Sequence, residues 1–482
     1  MYIRIILFFS FSFLSYYING QAFEKQFFKG NWIEDVGYSD FTFRSDSFNV
    51  LDYGAKNNGI FLTTKEIQNT IDECARNGGG VVVIPKGKYH IGSLFLKDKI
   101  HLNFADSVEL LASMNLDDYV KGETRVAGIE MIWPLALINI RDIKNVHISG
   151  NATINGRGGA FWAKFFAMKP TYEINNLRWA VDYDCQRPRM VLVQNASNIL
   201  IEDITLQSSA FWTVHILYSD HVTVDGITIR NNIDDKHGPS TDGIDIDSSR
   251  DILVQNCDID CNDDNICLKA GRDADGLNIN KPCEYIVIRN NKTGKGAGIV
   301  SFGSETSGGI NHIYVSGMSG NGTSRGIRFK SARTRGGIIE NILIENIDIQ
   351  NTPFIFEFTM DWNPAYSYTQ LPDAFKGYDI PPHWETLLLP VEPKERGICK
   401  LKDVKIKNIS VSGKCWKAFN VEGFKEAPIE NFIFENVQLN TETVGEIAHA
   451  QNWQVINSNF NFEDGEAPAL IDCKKMDEVF HR

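Results

Sequence analysis

The chain has 482 residues, of which 43% are hydrophobic and 23% charged, a composition typical of a folded protein and not of a disordered one. A formal net charge of -13 argues against nucleic acid as a partner, and an anionic substrate requires a local basic patch to offset the overall field. A chain of this length holds either several domains or one large repeat domain, because solenoids escape the usual limit on core size.

Residues 1–22 have the pattern of a secretory signal peptide. Arg4 precedes an apolar run over residues 5–17, and Gly20 and Ala22 supply small residues for cleavage. The run is short for a bilayer, and no other stretch is long and apolar enough to span one. We therefore expect a mature protein without a membrane span, secreted or periplasmic. The sequence leaves its oligomeric state open.

An aromatic-rich lead-in without a clear period occupies residues 23–47. After it, apolar residues at helical spacing lie between a capping threonine, Thr63 or Thr64, and the glycines at 78–80. Short strands follow over residues 81–96, separated by proline and glycine. We interpret the helix as a cap that covers apolar core and unpaired strand edges at the open end of a β-solenoid.

One strand phrase, a polar residue followed by alternating apolar positions, returns along the chain from about residue 138. Its copies begin at Asn145, Asn198, His221, Asp251, Tyr285, His312, Asn341, Asp403 and Asn431. Most copies lie 23 to 34 residues apart. Strand repeats of that length without intervening helices are typical of a parallel β-helix, whereas the competing β-sandwich has no such fixed phrase. The sequence predicts an all-β fold, a right-handed parallel β-helix catalytic domain over residues 48–462, with a polar tail over 463–482.

Two wide gaps interrupt the repeat, at residues 157–191 and 350–398. They are rich in proline and aromatic residues, namely Trp162, Trp179, Trp362, Tyr366, Tyr368 and Trp384. Two interpretations stay open, since aromatic residues in loops beside a groove either stack on sugar rings or pack the loops themselves.

The nine cysteines are an odd number in a chain too long to need a disulfide scaffold. Cys257, Cys261 and Cys267 recur at strand positions, and we interpret them as small buried core residues because the ligand spacing of a zinc site is absent. The sequence does not define any disulfide pairing.

An acidic turn followed by an alternating apolar strand occurs twice within residues 240–271. Asp242 precedes the strand in the first copy, and Asp263 and Asp264 precede it in the second. Asp264 follows Asp242 by 22 residues. If this is one coil, the two carboxylates lie about 4.8 Å apart, the distance between neighbouring strands. Asp263 then brings a third carboxylate to the same place.

A basic stretch over residues 325–335 contains five basic residues and no acid. Strand alternation puts Arg328 and Lys330 together on the outer face that bears the acids. They serve either as charge balance between coils or as a clamp for a substrate carboxylate. Paired carboxylates suit inverting glycoside hydrolysis, in which a protonated acid donates to the leaving oxygen and an ionised partner activates water. Neighbouring negative charges raise the pKa of the acid that must keep its proton.

The motifs TDG (241–243), DD (263–264) and RFK (328–330), in this order on β-helix repeats, resemble those of the polygalacturonase family, glycoside hydrolase family 28. The resemblance runs from about Asn49 to about residue 440, and it includes the DYGA opening and the GGGxVxxP turn. It implies a pectic oligo- or polysaccharide substrate and an inverting reaction with no metal and no cofactor.

The same resemblance implies a role for each of these side chains. Asp263 is expected to be the general acid. Asp242 and Asp264 are expected to position the attacking water. Arg328 and Lys330 are expected to bind the carboxylate of the galacturonate at the cleaved bond.

One turn departs from the family pattern, because Ala297 stands where the family has the histidine of a GHG turn. The absence of this histidine argues against ordinary endo-cleavage of homogalacturonan. It also argues against the pH dependence of activity that the histidine would set. His237 precedes Asp242 in the chain, and we interpret it as a surface-loop residue rather than a substitute. The GSETSGG turn (303–309) and an extra loop over residues 272–282 resemble the exo-acting bacterial branch.

These features together predict an exported, exo-type α-galacturonidase acting on pectin fragments. A rhamnogalacturonan hydrolase of the same family is the alternative that tolerates the missing histidine. A pectate lyase, which needs calcium and a lone basic proton acceptor, fits less well. A catalytically dead carbohydrate-binding β-helix is the alternative from outside the enzymes.

Overall fold

The computed structural model of the protein describes residues 21–233 and 237–481. Residues 1–20 of the predicted signal peptide lie outside this part of the chain. Within it, no helix has the length and apolar character required to cross a membrane.

Two parallel sheets, stacked coil on coil, contain nearly all strands of the described chain. The larger sheet has 22 strands in the described residues: β1 (Ser47–Asn49), β2 (Asn58–Leu62), β3 (Gly80–Ile84), β4 (Gly87–Ile91), β6 (Ile100–Ala112), β10 (Lys144–Asn155), β12 (Ser197–Glu202), β13 (Thr205–Gln207), β15 (Asp220–Asp225), β16 (Thr228–Arg230), β18 (Arg250–Gln255), β19 (Asp258–Asp260), β21 (Cys283–Arg289), β22 (Lys292–Thr293), β24 (Ile310–Ser316), β25 (Ser319–Asn321), β27 (Ile338–Gln350), β29 (Lys400–Ser412), β31 (Ile429–Thr441), β33 (Ala450–Ile456), β34 (Asn459–Phe462) and β36 (Lys474–Met476). The smaller sheet has 12 strands in the same residues: β5 (Leu94–Phe95), β9 (Ile138–Arg141), β11 (Val191–Gln194), β14 (Val214–Leu217), β17 (Ile244–Asp247), β20 (Ile266–Lys269), β23 (Val300–Phe302), β26 (Arg325–Lys330), β28 (Phe354–Thr359), β30 (Lys417–Glu422), β32 (Thr443–Ala448) and β35 (Ala469–Ile471). The predicted parallel β-helix is confirmed, and its handedness stays a prediction.

The remaining elements are a hairpin and short helices. The hairpin is antiparallel and consists of β7 (Lys121–Val126) and β8 (Ile129–Pro134). Besides a helical stretch at residues 21–27, the helices of the described chain are α1 (Trp32–Asp35), α2 (Thr64–Arg76), α3 (Gly159–Ile174), α4 (Val181–Asp184), α5 (Asp273–Ile279), α6 (Pro364–Ser367) and α7 (Pro382–Leu388). Turns of 3-10 helix occur at Val50–Tyr53, Leu116–Asp118, Asp373–Phe375, Lys394–Gly397 and Glu478–His481.

The predicted N-terminal helix is α2, and its buried face packs against β1, β3 and β5. Neither candidate threonine caps it through its side chain. The hydroxyl of Thr63 accepts from the backbone N–H of Lys56, and that of Thr64 accepts from the N–H of Gly92. These hydroxyls join the helix to its neighbouring loops instead. A capping role for the helix at the solenoid end stays a prediction.

The backbone conformation explains which residue types begin each copy of the strand phrase. All nine first residues have positive φ, from 52° to 61°. Asn, Asp and His tolerate this left-handed conformation better than most residues, which explains why they dominate the position. The side chains at this position also bond across coils. The amide of Asn198 donates to Asn145 at 2.8 Å, and that of Asn431 donates to Asp403 at 2.7 Å.

The core lies between the sheets and consists of the inward residues of each strand. Ile244 pairs in register with Ile266, and Ile246 with Leu268, and all four side chains are fully buried. Burying one such side chain contributes about 1.5–3 kcal/mol relative to its exposed state. The predicted inward alternation is therefore confirmed on these strands.

The described chain contains no disulfide, and its nine cysteines are free thiols. Cys257, Cys261 and Cys267 are buried, as predicted.

The last coil corrects the predicted boundary at residue 462. β35 pairs with β32, and β36 pairs with β33, so parallel strand pairing continues into the predicted polar tail. Both strands have three residues, which is too short for alternation to be visible in the sequence.

The aromatic lead-in lies across one face of the larger sheet. The ring of Trp32 is 5.6 Å from that of Tyr285 on β21, and the ring of Phe27 is 6.4 Å from that of Tyr314 on β24. Glu24 pairs with Lys405 on β29 at 2.7 Å. The lead-in crosses successive coils, which explains why it has no strand period of its own.

The two wide gaps contain helices rather than loops alone, which corrects the prediction. α3 and α4 lie in the first gap, and α6 and α7 lie in the second. The gaps and the β7–β8 hairpin meet in one buried apolar cluster, in which the rings of Trp179 and Trp384 are 5.1 Å apart. This cluster builds a wall beside the outward face of the smaller sheet.

Candidate active site

The outward residues of five consecutive strands of the smaller sheet form the base of the candidate site. Because side chains alternate along a strand, each strand contributes positions to the same outward columns. One column contains Asp245, Cys267, Ser301, Arg328 and Glu357, and the next contains Asp247 and Lys269. The acids of the two preceding turns lie at the edge of these columns.

Asp242, Asp263 and Asp264 meet, as predicted. The strand register aligns Asp242 with Asp264, and the N–H of Gly243 donates to the carbonyl of Asp264 at 2.9 Å. One carboxylate oxygen from each of the three acids lies within 4.8 Å of the others. Asp242 and Asp264 are 3% and 0% exposed, whereas Asp263 is only half-buried.

Asp264 is held by a hydroxyl and two cations, besides a longer contact from the Cys267 thiol at 3.6 Å. Its two oxygens accept from Ser301 Oγ at 2.6 Å, from Lys330 Nζ at 2.6 Å and from Arg328 Nη1 at 3.3 Å. Burial alone would raise the pKa of Asp264, but Lys330 and Arg328 hold it well below its usual range. Asp264 is therefore ionised at neutral pH.

Asp263 and Asp242 have the opposite tendency. Burial and the negative charge of Asp264 raise the pKa of Asp263. Burial, with the charges of Asp245 and Asp263, raises the pKa of Asp242 well above its usual range. The three acids therefore separate into one that is firmly ionised and two that hold protons to higher pH.

The two predicted cations lie against acids of the protein itself. Lys330 pairs with Asp264, and Arg328 pairs with Asp264 and, through Nε, with Glu357 at 2.8 Å. This is the charge-balance interpretation of the basic stretch. Lys330 also lies 4.8 Å from the centre of the Trp362 ring. Binding of a substrate carboxylate by either cation stays a prediction.

A pocket with about 540 Å³ of empty space opens above these acids. Asp242, Asp263 and Lys330 line it, and Asp264 and Arg328 lie behind this wall. The other lining side chains include four aromatic residues, Phe211, Trp212, Trp362 and Tyr366. The aromatic side chains suit a sugar, because sugar rings stack on aromatic faces. The ammonium of Lys330 beside them suits a sugar that carries a negative charge.

A larger cavity of about 1050 Å³ lies beside this pocket, between the two wide gaps. Arg178 lines both spaces, but none of the three carboxylates reaches the larger one. The reacting chemistry therefore belongs to the smaller pocket.

The sequence analysis missed Lys269, Glu305 and Trp212, which also line the pocket. The strand alternation that identified the inward residues also marks Lys269 as outward, two positions after Cys267. Glu305 lies in the GSETSGG turn, where the residue pattern gave a resemblance but no role. Trp212 aligns with Asp242 one coil earlier, because the N–H of Thr213 donates to the carbonyl of Asp242.

The departure at Ala297 lies next to the acids. Its backbone N–H donates to the carbonyl of Asp263 at 2.9 Å, so a side chain in this turn lies close to the predicted general acid. His237 is exposed, and its ring lies 6.3 Å from that of Phe166, which agrees with a surface-loop residue. No described contact joins His237 to the three acids.

The extra loop over residues 272–282 contains helix α5 and is anchored at its first residue. Arg272 is fully buried and donates to Tyr183 Oη at 2.9 Å and to Asp273 at 2.8 Å. Of the six aromatic residues in the wide gaps, Trp362 and Tyr366 line the pocket. The packing interpretation holds for Trp179 and Trp384, which pack the insertions, and stacking of the other aromatic residues on a sugar stays a prediction.

Three carboxylates this close also have the oxygen ligands that calcium and magnesium prefer. Here, however, the ammonium of Lys330 contacts Asp264, and that of Lys269 lies 3.7 Å from Asp242. Two fixed positive charges repel a divalent cation and already compensate the acids. The donor set therefore fits acid–base chemistry better than metal binding.

Comparison with known proteins identifies relatives that cover most of the chain. The family model of glycosyl hydrolases family 28 matches residues 76–360. A probable polygalacturonase of Vitis vinifera is 27% identical over 425 residues, which cover 85% of this chain and 78% of the relative. An exo-poly-alpha-D-galacturonosidase of Dickeya chrysanthemi is 25% identical over 464 residues, which cover 87% and 72%.

Solved structures support the fold. A hyperthermoactive exopolygalacturonase from Thermotoga maritima has a TM-score of 0.74 at 22% identity, and the match covers 89% of this chain and 96% of the other. A family 28 exopolygalacturonase of Yersinia enterocolitica has a TM-score of 0.71 at 22% identity, with 90% and 78% covered.

Proposed function

The chain belongs to glycosyl hydrolases family 28 and is a glycoside hydrolase, and we propose that it cleaves α-galacturonosyl linkages in pectin fragments by inversion, from the chain end. The observation that carries this proposal is the meeting of three aspartates in surroundings that separate their charge states. The pectic substrate is supported by the curated relatives, which are polygalacturonases.

Asp263 is the general acid in this proposal. It lines the pocket and is half-buried, and burial with the negative charge of Asp264 raises its pKa, which favours the protonated form that a general acid needs. Asp242 is the general base. As the water oxygen bonds to the anomeric carbon, its proton passes to Asp242, and the leaving oxygen takes the proton of Asp263.

Asp264 lies behind the pocket lining formed by Asp242, Asp263 and Lys330. It therefore acts on its neighbours and does not contact the attacking water. Its fixed negative charge raises the pKa of Asp263, and its pairing orients Lys330, which lines the pocket. Lys330 then attracts the galacturonate carboxylate as a point charge. Arg328 supports this arrangement through Asp264 and Glu357.

Exo-action is supported by the insertions. The β7–β8 hairpin, the two wide gaps and helix α5 pack beside the pocket, and Ala127, Arg178 and Tyr366 from them line it. Walls of this kind limit passage of a long chain. The Dickeya chrysanthemi relative is itself named an exo-poly-alpha-D-galacturonosidase. Export to the periplasm or the exterior is supported by the signal pattern at residues 1–22.

We expect single galacturonate residues to be the first products from oligogalacturonates. The test is incubation of the purified protein with a panel of pectic oligosaccharides and polygalacturonate, with chromatography of the products over time. Exo-action predicts monomer at the earliest time points and a slow fall in the viscosity of the polymer. Early products of mixed length would contradict exo-action.

The same panel separates the alternatives. Cleavage limited to oligosaccharides that alternate rhamnose and galacturonate identifies the rhamnogalacturonan hydrolase. Binding without any product identifies the carbohydrate-binding β-helix and overturns the proposal.

A further inference from the structure

Lys269 is a buried lysine in the pocket for which the proposed reaction has no role so far. Its side chain is 4% exposed, and Nζ lies over the Trp212 ring at 4.7 Å. Nζ is also 3.2 Å from Glu305, 3.5 Å from Asp245 and 3.7 Å from Asp242. One ammonium among three carboxylates does not attract a fourth from the substrate, which argues against a second clamp.

The three aspartates of the site differ in their cation partners. Asp264 pairs with Lys330 and Arg328. Asp242 is in ion-pair contact with Lys269. Asp263 has no such ion pair within residues 21–233 and 237–481, and its Oδ1 accepts from the N–H of Asp264 instead. Asp263 is thus the one of the three acids with which no cation of the described residues pairs.

We propose that Lys269 is a positioning residue that favours the ionised form of Asp242 against its acidic neighbours, so that Asp242, and not Asp263, takes the proton of the attacking water. This inference rests on the proposed function and assigns to Lys269 the choice between base and acid. Oδ1 of Asp242 is buried and has no hydrogen-bond partner among the described residues, so it is available to a water molecule.

The charged groups around Asp242 and Lys269 determine the direction in which the pKa of Asp242 moves when Lys269 is removed. The acidic groups and thiols that face Asp242 and Lys269 are Asp245, Asp263, Asp264, Glu305, Cys261 and Cys267. The nearby basic groups are Lys330, Arg189 and His215. Burial and the charges of Asp245, Asp263 and Asp264 raise the pKa of Asp242, and Lys269 lowers it. Removing Lys269 therefore raises the pH at which Asp242 becomes ionised.

Lys269→Met tests this through the pH profile of kcat/KM on an oligogalacturonate. We expect the acidic limb to move to higher pH by about 1 to 3 units, the range for loss of an adjacent opposite charge. Glu305→Gln removes a competitor for Lys269, and the acidic limb then moves to lower pH. Lys269→Arg restores the limb towards its wild-type position.

Lys405→Met is the matched control, because Lys405 is also buried and paired with carboxylates, Glu24 and Glu435, but it lies on the larger sheet. We expect the acidic limb of the kcat/KM profile of Lys405→Met to stay at its wild-type pH. A lower kcat for Lys269→Met at every pH with an unmoved limb overturns the inference. If Lys269→Met does not fold, an unmoved limb in Glu305→Gln overturns it equally. Failure of the proposed function is distinct, because the wild-type protein would then release no galacturonate.

Discussion

Asp263→Asn loses oligogalacturonate hydrolysis by about 10²- to 10⁴-fold in kcat, the range for removal of a general acid. An asparagine matches the aspartate in shape, and its oxygen still accepts from the N–H of Asp264. It has no proton to give to the leaving oxygen at the cleaved bond. The measurement is kcat with trigalacturonate, together with ligand affinity by calorimetry and the unfolding temperature.

The leaving group sharpens this test. A galacturonide with a nitrophenol leaving group needs little protonation, so Asp263→Asn loses much less activity on it than on the oligosaccharide. Asp348→Asn is the control, since Asp348 on β27 accepts from Ser410 and Gln350 away from the pocket. A variant at Asp263 that keeps more than a tenth of wild-type activity on trigalacturonate would exclude Asp263 as the acid.

Lys330→Met destabilises the fold by about 3–5 kcal/mol, the usual effect of removing one partner of a buried ion pair. Asp264 is 0% exposed, and the substitution removes its contact to Nζ at 2.6 Å. Because the folded-state pKa of Asp264 lies below its unfolded value, its contribution to stability is present above a pH of about 4 and lost as the pH falls through the folded pKa. The difference between wild type and variant therefore decreases in acid.

The double variant Asp264→Asn/Lys330→Met removes both charges and recovers part of the lost stability, measured by urea unfolding of both single variants and the double. Arg333→Met is the matched control, because Arg333 pairs with Glu426 on the surface and such pairs contribute about 0–1 kcal/mol. Equal unfolding midpoints for wild type and Lys330→Met would show that the buried pair does not hold the site together.

Inward residues and the register of the acids were predictable because both follow from strand geometry. Ile244 and Ile266 alternate visibly, and the spacing of 22 residues between Asp242 and Asp264 matches one coil of the solenoid. A property that repeats with every coil leaves a trace in the sequence. The strand phrase behaves in the same way, since each copy needs a residue that tolerates positive φ.

The contacts inside the site were less predictable, because outward positions follow no pattern of residue type. The neighbours of Lys269 come from β17 and from the GSETSGG turn, and only the packed coils show that Glu305 approaches it. The sequence left Arg328 either to charge balance or to a substrate carboxylate, and only the packed coils show that Asp264 and Glu357 pair with it. An alternation pattern shows which face a side chain occupies, but not which neighbour satisfies its charge.

The anomer formed first is the most direct measure of the central claim. Two features favour inversion: the family resemblance, and the donors on Asp264 that leave its oxygens poorly available as a nucleophile. Against it, the nearest acid oxygens lie within 4.8 Å, closer than the roughly 6.5–9.5 Å usual between the carboxyl groups of inverting enzymes. Proton NMR of trigalacturonate during the first minutes of cleavage decides between inversion and retention at the anomeric carbon. The account predicts saturated galacturonate that appears first as the β-anomer, and first release of the α-anomer, or no cleavage at all, would contradict it.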